Sequence, residues 1–428
     1  MMHRHLRRSR RALLSPKTWK VRLVFWAGAV MVGLVCALFA VLAEHANNLF
    51  FEVAAHNPLL PLIITPLGLV AIAWLTRRVF PGSQGSGIPQ AIAALEMRRK
   101  SAVLSLRIAI GKILLTLLGL LAGASIGREG PSVHIGAAVM HSLGRFARFP
   151  PHYMERGLIL AGGAAGIAAA FNTPLAGIVF VIEEMSRSFE QKISGIVTSG
   201  VVLAGVTAMA VLGQYHYFGS SDAQILELSA WLAVPICGVV GGLLGGLFTQ
   251  GLIRGSQWVA PHAKAKPLLV ALLAGIAVAL IGYVSNYSAS GTGYNEAKAL
   301  ITGEAPVDLL YPLYKMGATL ASYLSGIPGG IFAPSLAAGA GVGADLGHLL
   351  PVAPLSVMIL LGMVGYFSGV VQSPITAFVI VMEMTANQNM LLALMATSFI
   401  AYGTSLQVCP RPLYRTLAEA FLGQDKGR

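Results

Sequence analysis

The sequence predicts an all-α, multi-pass membrane protein, and its composition and apolar stretches are the basis of that prediction. Hydrophobic side chains make up 55% of the 428 residues and charged ones only 11%, whereas an ordinary soluble domain has roughly 25% charged residues. A chain this apolar must expose much of its surface to lipid, where helices satisfy the backbone internally. A water-soluble enzyme is therefore excluded. Apolar stretches lie at 21–43, 58–75, 102–125, 132–143, 157–170, 174–182, 193–212, 231–253, 268–284, 307–324, 334–350, 354–370, 374–384 and 390–406.

Several of these stretches are too short to cross a bilayer. The stretches 132–143, 174–182 and 374–384 fall well below the roughly 20 residues that a straight span requires. Many stretches also begin or end at proline or glycine. A helix that stops within the membrane is tolerated only where it is buried in protein or lines a polar cavity. This pattern favours a transport pathway over a structural scaffold.

The basic residues predict the orientation of the N-terminus. The net charge is +13, and the first 43 residues hold no acidic residue and eight basic ones, Arg4, Arg7, Arg8, Arg10, Arg11, Lys17, Lys20 and Arg22. By the positive-inside rule, segment 1–21 is expected to stay in the cytoplasm. A nucleic-acid-binding arm is the alternative, but the basic run leads directly into the apolar stretch 21–43, so no nucleic-acid partner is expected. That stretch is also too long for the core of a cleaved signal peptide.

No metal site or cofactor is predicted. The three cysteines, Cys36, Cys237 and Cys409, lie in or beside apolar stretches at unrelated spacings and without a CxxC pair. We interpret them as small hydrophobic side chains. The sequence contains neither a Walker A motif nor a GxGxxG after a strand, so it does not indicate a nucleotide-driven activity.

The sequence repeats itself at an offset of about 200 residues. The pattern G-x-x-x-P-S-x-x-x-G occurs at 127–136 and at 330–339, and the Thr-Pro pair leading to Glu183 is matched by a Ser-Pro pair leading to Glu383. Two matches at nearly one offset predict duplicated halves, which these identities leave either parallel or inverted. The predicted segments are a basic N-terminal segment 1–21, a first membrane repeat 22–212, a polar linker 213–228, a second membrane repeat 229–409 and a short C-terminal segment 410–428.

Three glycine-rich segments predict helix starts that can bind an anion. They are GSGIP at 85–89, GREGP at 127–131 and GIFAP at 330–334. Each ends in proline, which suits the first turn of a helix, and the glycines leave backbone amides accessible. Such amides, at the positive end of a helix dipole, can hold a halide weakly, as a permeation path requires. The alternative is that these glycines and prolines only allow close helix packing and kinks.

Together with Tyr414, these motifs resemble the signature of the CLC family of chloride channels and transporters. The resemblance covers the chain from about residue 20 to 418. It implies a homodimer in the lipid bilayer, in which each subunit forms its own pore from two inverted-topology repeats of tilted and broken helices. Only 14 residues follow Tyr414. We therefore expect a prokaryotic member of the bacterial inner membrane, without the cytoplasmic CBS domains of larger members.

The resemblance also assigns the chloride site. The assigned residues are Ser86, Gly87, Glu129, Gly130, Ile331, Phe332 and Tyr414. It implies that Ser86 and Tyr414 donate hydroxyl hydrogen bonds to a central chloride, and that Ile331 and Phe332 donate backbone amides. A serine at Ser86, where some members have proline, favours chloride over nitrate. Chloride is then the transported ligand, and no cofactor is expected.

Glu129 is the predicted gate. A carboxylate within an apolar membrane segment is functional by default, and Glu129 lies within an anion-binding helix start. Ionised, it competes with chloride for the amide donors; protonated, it leaves them. The resemblance implies the same role in channels and in antiporters, so Glu129 indicates gating but leaves proton coupling open. A simple helix N-cap is the alternative interpretation.

Two adjacent acids bear on whether protons are coupled to chloride. Glu183 and Glu184 end an apolar helix, and adjacent helical positions point about 100° apart, so they cannot share one role. The resemblance assigns internal proton transfer to Glu184, where passive channels of the family usually lack an acid. The alternative is that both acids lie on a solvated rim. We predict a chloride/proton antiporter, with a passive gated chloride channel as the alternative.

One departure from the family pattern leaves the internal proton route open. The family often has further acids just after GSGIP, whereas this chain has Gln90 and Ile92 and only then Glu96.

A serine hydrolase is the competing hypothesis from another class. Residues 123–127 fit G-x-S-x-G, and His134 follows, but this motif lies at the end of an apolar helix and overlaps GREGP. We therefore expect no enzyme and interpret His134 as a packed or hydrogen-bonded side chain. A separate glycine pattern, Gly238, Gly242 and Gly246, predicts close helix packing inside the subunit.

Overall fold

The computed structural model describes residues 16–144, 153–186, 191–213, 217–304 and 308–426, and within these ranges the chain is helical, without β-strands. The helices of the first half are α1 Pro16–His56, α2 Pro61–Arg78, α3 Ile88–Glu96, α4 Leu106–Leu121, α5 Glu129–Leu143, α6 Tyr153–Phe171, α7 Pro174–Phe180 and α8 Gln191–Leu212. Those of the second half are α9 Ala233–Ala265, α10 Pro267–Val284, α11 Tyr294–Thr302, α12 Tyr311–Leu324, α13 Phe332–Leu349, α14 Leu355–Val371, α15 Pro374–Met384, α16 Leu391–Val408 and α17 Leu413–Lys426.

The two halves correspond helix by helix, so that α1 to α8 match α9 to α16, and α17 follows the second half. The starts of α5 and α13 meet in an antiparallel bridge between Gly127 and Gly330, which is the contact that a two-fold relation between the halves produces. The prediction of two inverted repeats of broken helices is confirmed.

The chain combines long and short helices, as the apolar stretches predict. In the described residues, five helices (α1, α2, α9, α10 and α16) and the segment Lys100–Leu121, which includes α4, are long and apolar enough to cross a membrane. Shorter apolar segments are Arg156–Phe171 within α6, Val197–Leu212 within α8, and the helices α14 and α15. Large apolar side chains of the long helices face outward; Leu38, Ile63 and Leu273 are each about 60% exposed. Outward apolar faces of this kind suit lipid, and the chain is a multi-pass membrane protein.

Helix boundaries differ from the apolar stretches where polar residues continue a helix. α1 begins at Pro16 and ends at His56, so the basic segment expected at 1–21 is partly helical; residues 1–15 lie outside the described part. Long basic side chains such as Lys20 can place their charge in water while the helix continues. α11 and α17 were missed because neither is an apolar stretch.

The segment between the repeats is docked against the second half. The Phe218 amide donates to the Met384 carbonyl at 3.1 Å, and the Ser221 amide donates to the Thr385 carbonyl at 3.0 Å. Tyr217 is only 2% exposed. The polar composition of 213–228 predicts a linker, but its described part, 217–228, delivers aromatic side chains into the interior.

Glycines on α9 allow this helix to approach two neighbours. Gly238 faces Thr397 and Ile400 of α16, and Gly245 faces the backbone of α14. A Cβ at Gly245 would lie 2.6 Å from the Tyr366 carbonyl oxygen, which is too close for any side chain. The predicted role of these glycines in packing within the subunit is confirmed.

We expect Gly245→Ala to destabilise the protein and Gly251→Ala, on the same helix, to leave it intact. A Cβ at Gly251 would find its nearest neighbour at 3.9 Å, so this control gains helix propensity of up to about 1 kcal/mol. Overpacking at Gly245 costs about 1 to 3 kcal/mol. Thermal unfolding of both variants in detergent measures the difference, and equal midpoints would contradict the packing at Gly245.

Candidate functional site

The three glycine-rich motifs meet through backbone hydrogen bonds. The Gly127 amide donates to the Gly330 carbonyl and the Gly330 amide donates to the Gly127 carbonyl, both at 2.7 Å. The Gly85 amide donates to the Ile327 carbonyl at 3.2 Å, and the Gly329 amide donates to the Gly85 carbonyl at 3.4 Å. The starts of α3, α5 and α13 therefore lie together, although about 250 residues separate the first motif from the third.

A buried lysine holds the loop that carries the first motif. The Lys112 side chain is 0% exposed, and its Nζ donates to the carbonyls of Ser83 and Gly85 at 2.9 Å and of Gln84 at 3.3 Å. An ammonium group offers three donors. Its positive charge is thus directed to these carbonyls, and the loop before α3 is fixed.

The second half repeats this arrangement at a position that the sequence analysis missed. Lys315 lies 203 residues after Lys112, and its Nζ donates to the carbonyls of Ala289, Ser290 and Gly291 at 3.0 to 3.1 Å. Both lysines interrupt apolar stretches at the repeat offset, which is the signal that could have identified them.

Glycine is required at Gly87, the residue before α3. Its φ is +102°, and a Cβ there would lie 2.8 Å from the Cβ of His134 and 2.9 Å from the carbonyl oxygen of Gly130. Side chains disfavour this backbone conformation, and they would also separate α3 from α5. The predicted site residues Gly87 and Gly130 are therefore in close contact.

Two predicted donors of the chloride site are buried hydroxyl groups without protein partners. Ser86 is 1% exposed and Tyr414 is 0% exposed. Neither Ser86 Oγ nor Tyr414 Oη has a hydrogen-bond partner among the described residues. α17, which carries Tyr414, packs against α3, directly after Ser86. Because buried polar groups are normally hydrogen-bonded, these two hydroxyls are available to a ligand.

The third predicted element of the site is the start of α13. Ile331 and Phe332 are each 1% exposed. The Phe332 ring packs against three other phenylalanines, with centroid distances of 4.5 Å to Phe367, 5.9 Å to Phe171 and 6.0 Å to Phe180. This apolar cluster surrounds amides that have no acceptor within the helix, an arrangement that favours a weakly hydrated anion.

Glu129 lies at the junction of the two halves. Its side chain is 0% exposed, and its Oε2 accepts the Ala333 amide at 3.4 Å. The carboxyl of the first half thus occupies an amide at the helix start of the second half. The Tyr217 ring lies against the preceding residue, with 5.5 Å between its centroid and the guanidinium carbon of Arg128. The helix N-cap alternative does not describe the contact with the Ala333 amide, because that amide belongs to another helix.

Glu184 is a second buried acid within electrostatic range of Tyr414. It is 3% exposed, and its Oε2 accepts the Ser373 hydroxyl at 2.5 Å. The Tyr414 hydroxyl interacts electrostatically with both Glu184 and Glu129. Glu184 therefore lies in the interior and not on a solvated rim.

Glu183 has a different role from its neighbour. Its carboxylate accepts the amides of Ile375 at 3.0 Å and Thr376 at 2.6 Å, at the start of α15. Glu383 does the reverse for α7, accepting the amides of Leu175 at 3.1 Å and Ala176 at 2.7 Å. A carboxylate at a helix N-terminus satisfies free donors and complements the helix dipole. The match between Glu183 and Glu383 in the sequence thus reflects reciprocal capping.

The departure after the first motif has a structural explanation. Gln90 is 1% exposed, and its Nε2 donates to the Gly82 carbonyl at 2.6 Å, so it supports the loop before Ser86. Ile92 is buried in the core, whereas Glu96 is exposed at the end of α3. The acid Glu96 is therefore present at the end of α3, but one to two helical turns beyond the position at which the family often has an acid.

The geometry does not assemble a serine hydrolase from the G-x-S-x-G pattern. Ser125 Oγ pairs with Thr319 Oγ1 at 2.9 Å, while His134 Nε2 pairs with the Val103 carbonyl at 2.7 Å. His134 is buried and hydrogen-bonded, as predicted. Cys36, Cys237 and Cys409 are buried free thiols, which agrees with their interpretation as small hydrophobic side chains.

Comparison with known proteins decides the family. Residues 67–406 match the family described as voltage gated chloride channel. The chain belongs to the CLC family. This confirms the family resemblance, since the matched residues include all three motifs and most of both repeats.

The CLC relatives are similar over nearly their whole length. The H(+)/Cl(-) exchange transporter ClcA of Vibrio vulnificus is 33% identical over 434 residues, covering 93% of this chain and 91% of that protein. ClcA of Salmonella typhi is 31% identical over 441 residues, covering 97% and 92%. Among solved structures, a slow cyanobacterial Cl−/H+ antiporter superposes with a TM-score of 0.82 at 25% identity, covering 96% of this chain and all of that chain. A CLC-type fluoride/proton antiporter, at 22% identity, shares the fold with a TM-score of 0.80.

Proposed function

We propose that this CLC protein is a secondary active antiporter that exchanges chloride against protons through a pathway in each subunit. The observation that supports it best is the arrangement around Tyr414. Two buried hydroxyls lack hydrogen-bond partners in the part of the chain that the structure describes, and one acid, Glu129, accepts an amide that an anion could use. A second acid, Glu184, is buried within electrostatic range of the same tyrosine.

Chloride is the ligand that suits this donor set. Ser86, Tyr414 and the first turn of α13 supply hydroxyl and amide donors without a full positive charge, so the anion is held weakly enough to leave. Lys112 lies beside the first motif, but the donors of its side chain are directed at the carbonyl oxygens of Ser83, Gln84 and Gly85.

Proton coupling is supported by Glu184 more than by Glu129. A gate at Glu129 serves a passive channel equally well, and this channel remains the alternative function. A second buried acid near the anion site is not needed for channel gating, but it gives a proton a second binding position. The exchange activities in the names of both ClcA relatives point the same way.

Purified protein in liposomes tests the proposal. A chloride gradient is imposed, and the external pH is recorded as chloride leaves. We expect protons to move uphill against their own gradient, and this movement to collapse when a proton ionophore is added. Chloride movement without any proton movement would identify the channel.

Removing one hydroxyl donor should weaken chloride binding without abolishing it. A neutral hydrogen bond contributes roughly 0.5 to 1.5 kcal/mol, so Ser86→Ala and Tyr414→Phe should each lower chloride affinity roughly 2- to 12-fold. Isothermal titration with chloride measures this effect. Tyr311→Phe is the matched control, since the Tyr311 hydroxyl is also buried without a partner among the described residues but lies on α12. Wild-type affinity for both site variants would remove Ser86 and Tyr414 from the site.

We also propose that two copies of this chain form a homodimer in a bacterial inner membrane. The N-terminus of each subunit is then cytoplasmic. The helices that end the two repeats expose large apolar side chains, among them Val206 and Leu392, at 54% and 63%. The eight basic residues near the N-terminus support its orientation. Light scattering of the solubilised protein tests the dimer, and protease access in sealed vesicles tests the orientation.

A further inference from the structure

The loop before α11 repeats the loop that carries Ser86. Lys315 Nζ binds the carbonyls of residues 289, 290 and 291, each 206 residues after the carbonyls that Lys112 Nζ binds at 83, 84 and 85. At the same offset, GTG at 291–293 corresponds to GSG at 85–87, and α11 corresponds to α3, which is also nine residues long. Thr292 is therefore the counterpart of Ser86, and it carries a hydroxyl at the same position.

The two loops also agree in backbone conformation and in packing. Gly87 has a φ of +102° and Gly293 a φ of +77°, values that favour glycine. A Cβ at Gly87 would lie 2.8 Å from the Cβ of His134, and a Cβ at Gly293 would lie 2.5 Å from the Cβ of Ala337, the residue 203 positions after His134. Because the repeats are inverted, equivalent loops belong to opposite sides of the membrane. The fold thus places a second copy of the Ser86 loop on the side opposite the first.

The second loop borders a polar cavity. The cavity has a volume of about 200 Å³, which is large enough for an ion and several water molecules. None of the seven residues assigned to the chloride site lines it, so it is a separate place in the molecule. Its polar lining includes Asn47, Asn48, Arg128, Tyr217, Thr292 and Asn295.

Two buried side chains offer donors to this cavity. Thr292 is 6% exposed, and its hydroxyl oxygen accepts the Tyr294 amide at 3.3 Å, which leaves the hydroxyl proton for an acceptor. Asn47 of α1 is also 6% exposed, and its Oδ1 has no hydrogen-bond partner among the described residues. Buried amides are normally hydrogen-bonded, so this one indicates a ligand in the cavity, to which its two N–H donors can turn. The first-turn amides of α11 add further donors.

The buried charge of the cavity is positive. Arg128 is 7% exposed, and a guanidinium stays charged in proteins. Its Nη1 donates to the Ala40 carbonyl, which satisfies one donor without neutralising the charge. Glu44 also lines the cavity, but it is exposed, so water and salt screen its charge more effectively. Glu296, in the first turn of α11, does not line the cavity. This charge distribution favours an anion.

We propose that the start of α11 forms a second anion site, in which chloride binds the Thr292 hydroxyl and the Asn47 amide beside the Arg128 guanidinium. The inference rests on the proposed function for its ligand, but it uses none of the residues assigned to the first site. Arg128 directly precedes Glu129, so an anion bound to its guanidinium is close to the gate. The second site raises the chloride concentration at the entrance that Glu129 closes.

Bromide diffraction locates the site directly. Bromide replaces chloride and scatters anomalously, so crystals of the full chain grown in bromide show each bound anion. We expect one peak between Ser86 and Tyr414 and a second within hydrogen-bonding distance of Thr292 Oγ1. The first peak without the second would overturn the second site and leave the proposed pathway intact. The absence of both peaks would overturn the second site and contradict the pathway as well.

Thr292→Val tests the contribution to transport, because it keeps the size of the side chain but lacks the hydroxyl. Chloride flux into liposomes is measured against chloride concentration. We expect the half-saturating concentration to rise roughly 2- to 12-fold, as the loss of one hydrogen bond predicts, with an unchanged maximal rate. An unchanged half-saturating concentration would overturn the role of Thr292 in chloride uptake.

Two further variants separate the hydroxyl from packing. Thr292→Ser keeps the hydroxyl and should keep the wild-type half-saturating concentration. Thr302→Val makes the same change at the other end of α11, where the hydroxyl donates to the Lys298 carbonyl at 2.9 Å, and it should also behave as wild type. If Thr292→Ser were as weak as Thr292→Val, the effect would be one of packing and the anion site would be overturned.

Discussion

Glu129→Gln should leave the chloride pathway open at every pH and abolish proton movement. Glutamine imitates the protonated side chain, so it does not compete as an anion for the Ala333 amide that Glu129 occupies. Because the same carboxyl is proposed to take up the proton, coupled proton movement should disappear with it. Chloride flux between about pH 4.5 and 7.5, a range that begins just above the ordinary glutamate pKa of about 4.3, should lose most of its acid activation.

The control for this variant is Glu44→Gln, which removes an acid that lines the neighbouring cavity but occupies no helix start. It should retain both proton pumping and the wild-type pH profile. A Glu129→Gln protein that still pumps protons, or whose flux responds to pH as steeply as the parent's, would place the gate at another residue.

Glu184→Gln should abolish proton pumping while chloride flux continues. The substitution is nearly isosteric, and an amide oxygen can still accept the Ser373 hydroxyl that Glu184 accepts at 2.5 Å, so packing around the site should survive. The proton loses its second stopping point because an amide does not ionise. Parallel recordings of chloride and proton movement in liposomes measure this uncoupling.

Its neighbour provides an unusually close control. Glu183→Gln removes a charged cap from α15 and should cost about 0.5 to 2 kcal/mol of stability while leaving coupling intact. Glu183→Gln should therefore lower the thermal unfolding midpoint but keep proton pumping. Glu184→Gln should keep the midpoint but lose proton pumping. If Glu183→Gln lost coupling and Glu184→Gln kept it, the internal proton site would be Glu183.

Most helices, and the three helix starts at the candidate site, could be predicted from local sequence patterns. Apolar stretches indicated helices because helices that face lipid need apolar side chains. The prolines of GSGIP, GREGP and GIFAP indicated three helix starts, and backbone hydrogen bonds show that these starts lie together. Glu183 was recognised as part of the repeat, but a matched acid at offset 200 does not say what the acid binds. Only the structure shows that Glu183 accepts the amides of Ile375 and Thr376 at the start of α15.

Other features had no local signal. Tyr217 lies in a short polar segment without periodicity, and only the packing of Phe171 and Tyr294 around it brings its ring against Arg128. α11 is short and polar, so no apolar stretch indicates it. Lys112 and Lys315 were detectable in principle, because lysines at one offset in two apolar stretches need carbonyl partners.

The exchange of caps between α7 and α15 has a consequence for biogenesis. The Ala176 amide donates to the carboxylate of Glu383, which lies 207 residues later in the chain. At about 5 to 20 residues per second, a ribosome completes that distance in roughly 10 to 40 s. During that time the first half is inserted with the start of α7 uncapped, and the nascent chain must use water or the insertion machinery as a temporary partner. The first half therefore reaches its final state only after the second half has been synthesised, and a chain truncated before Glu383 would be an early substrate for quality control.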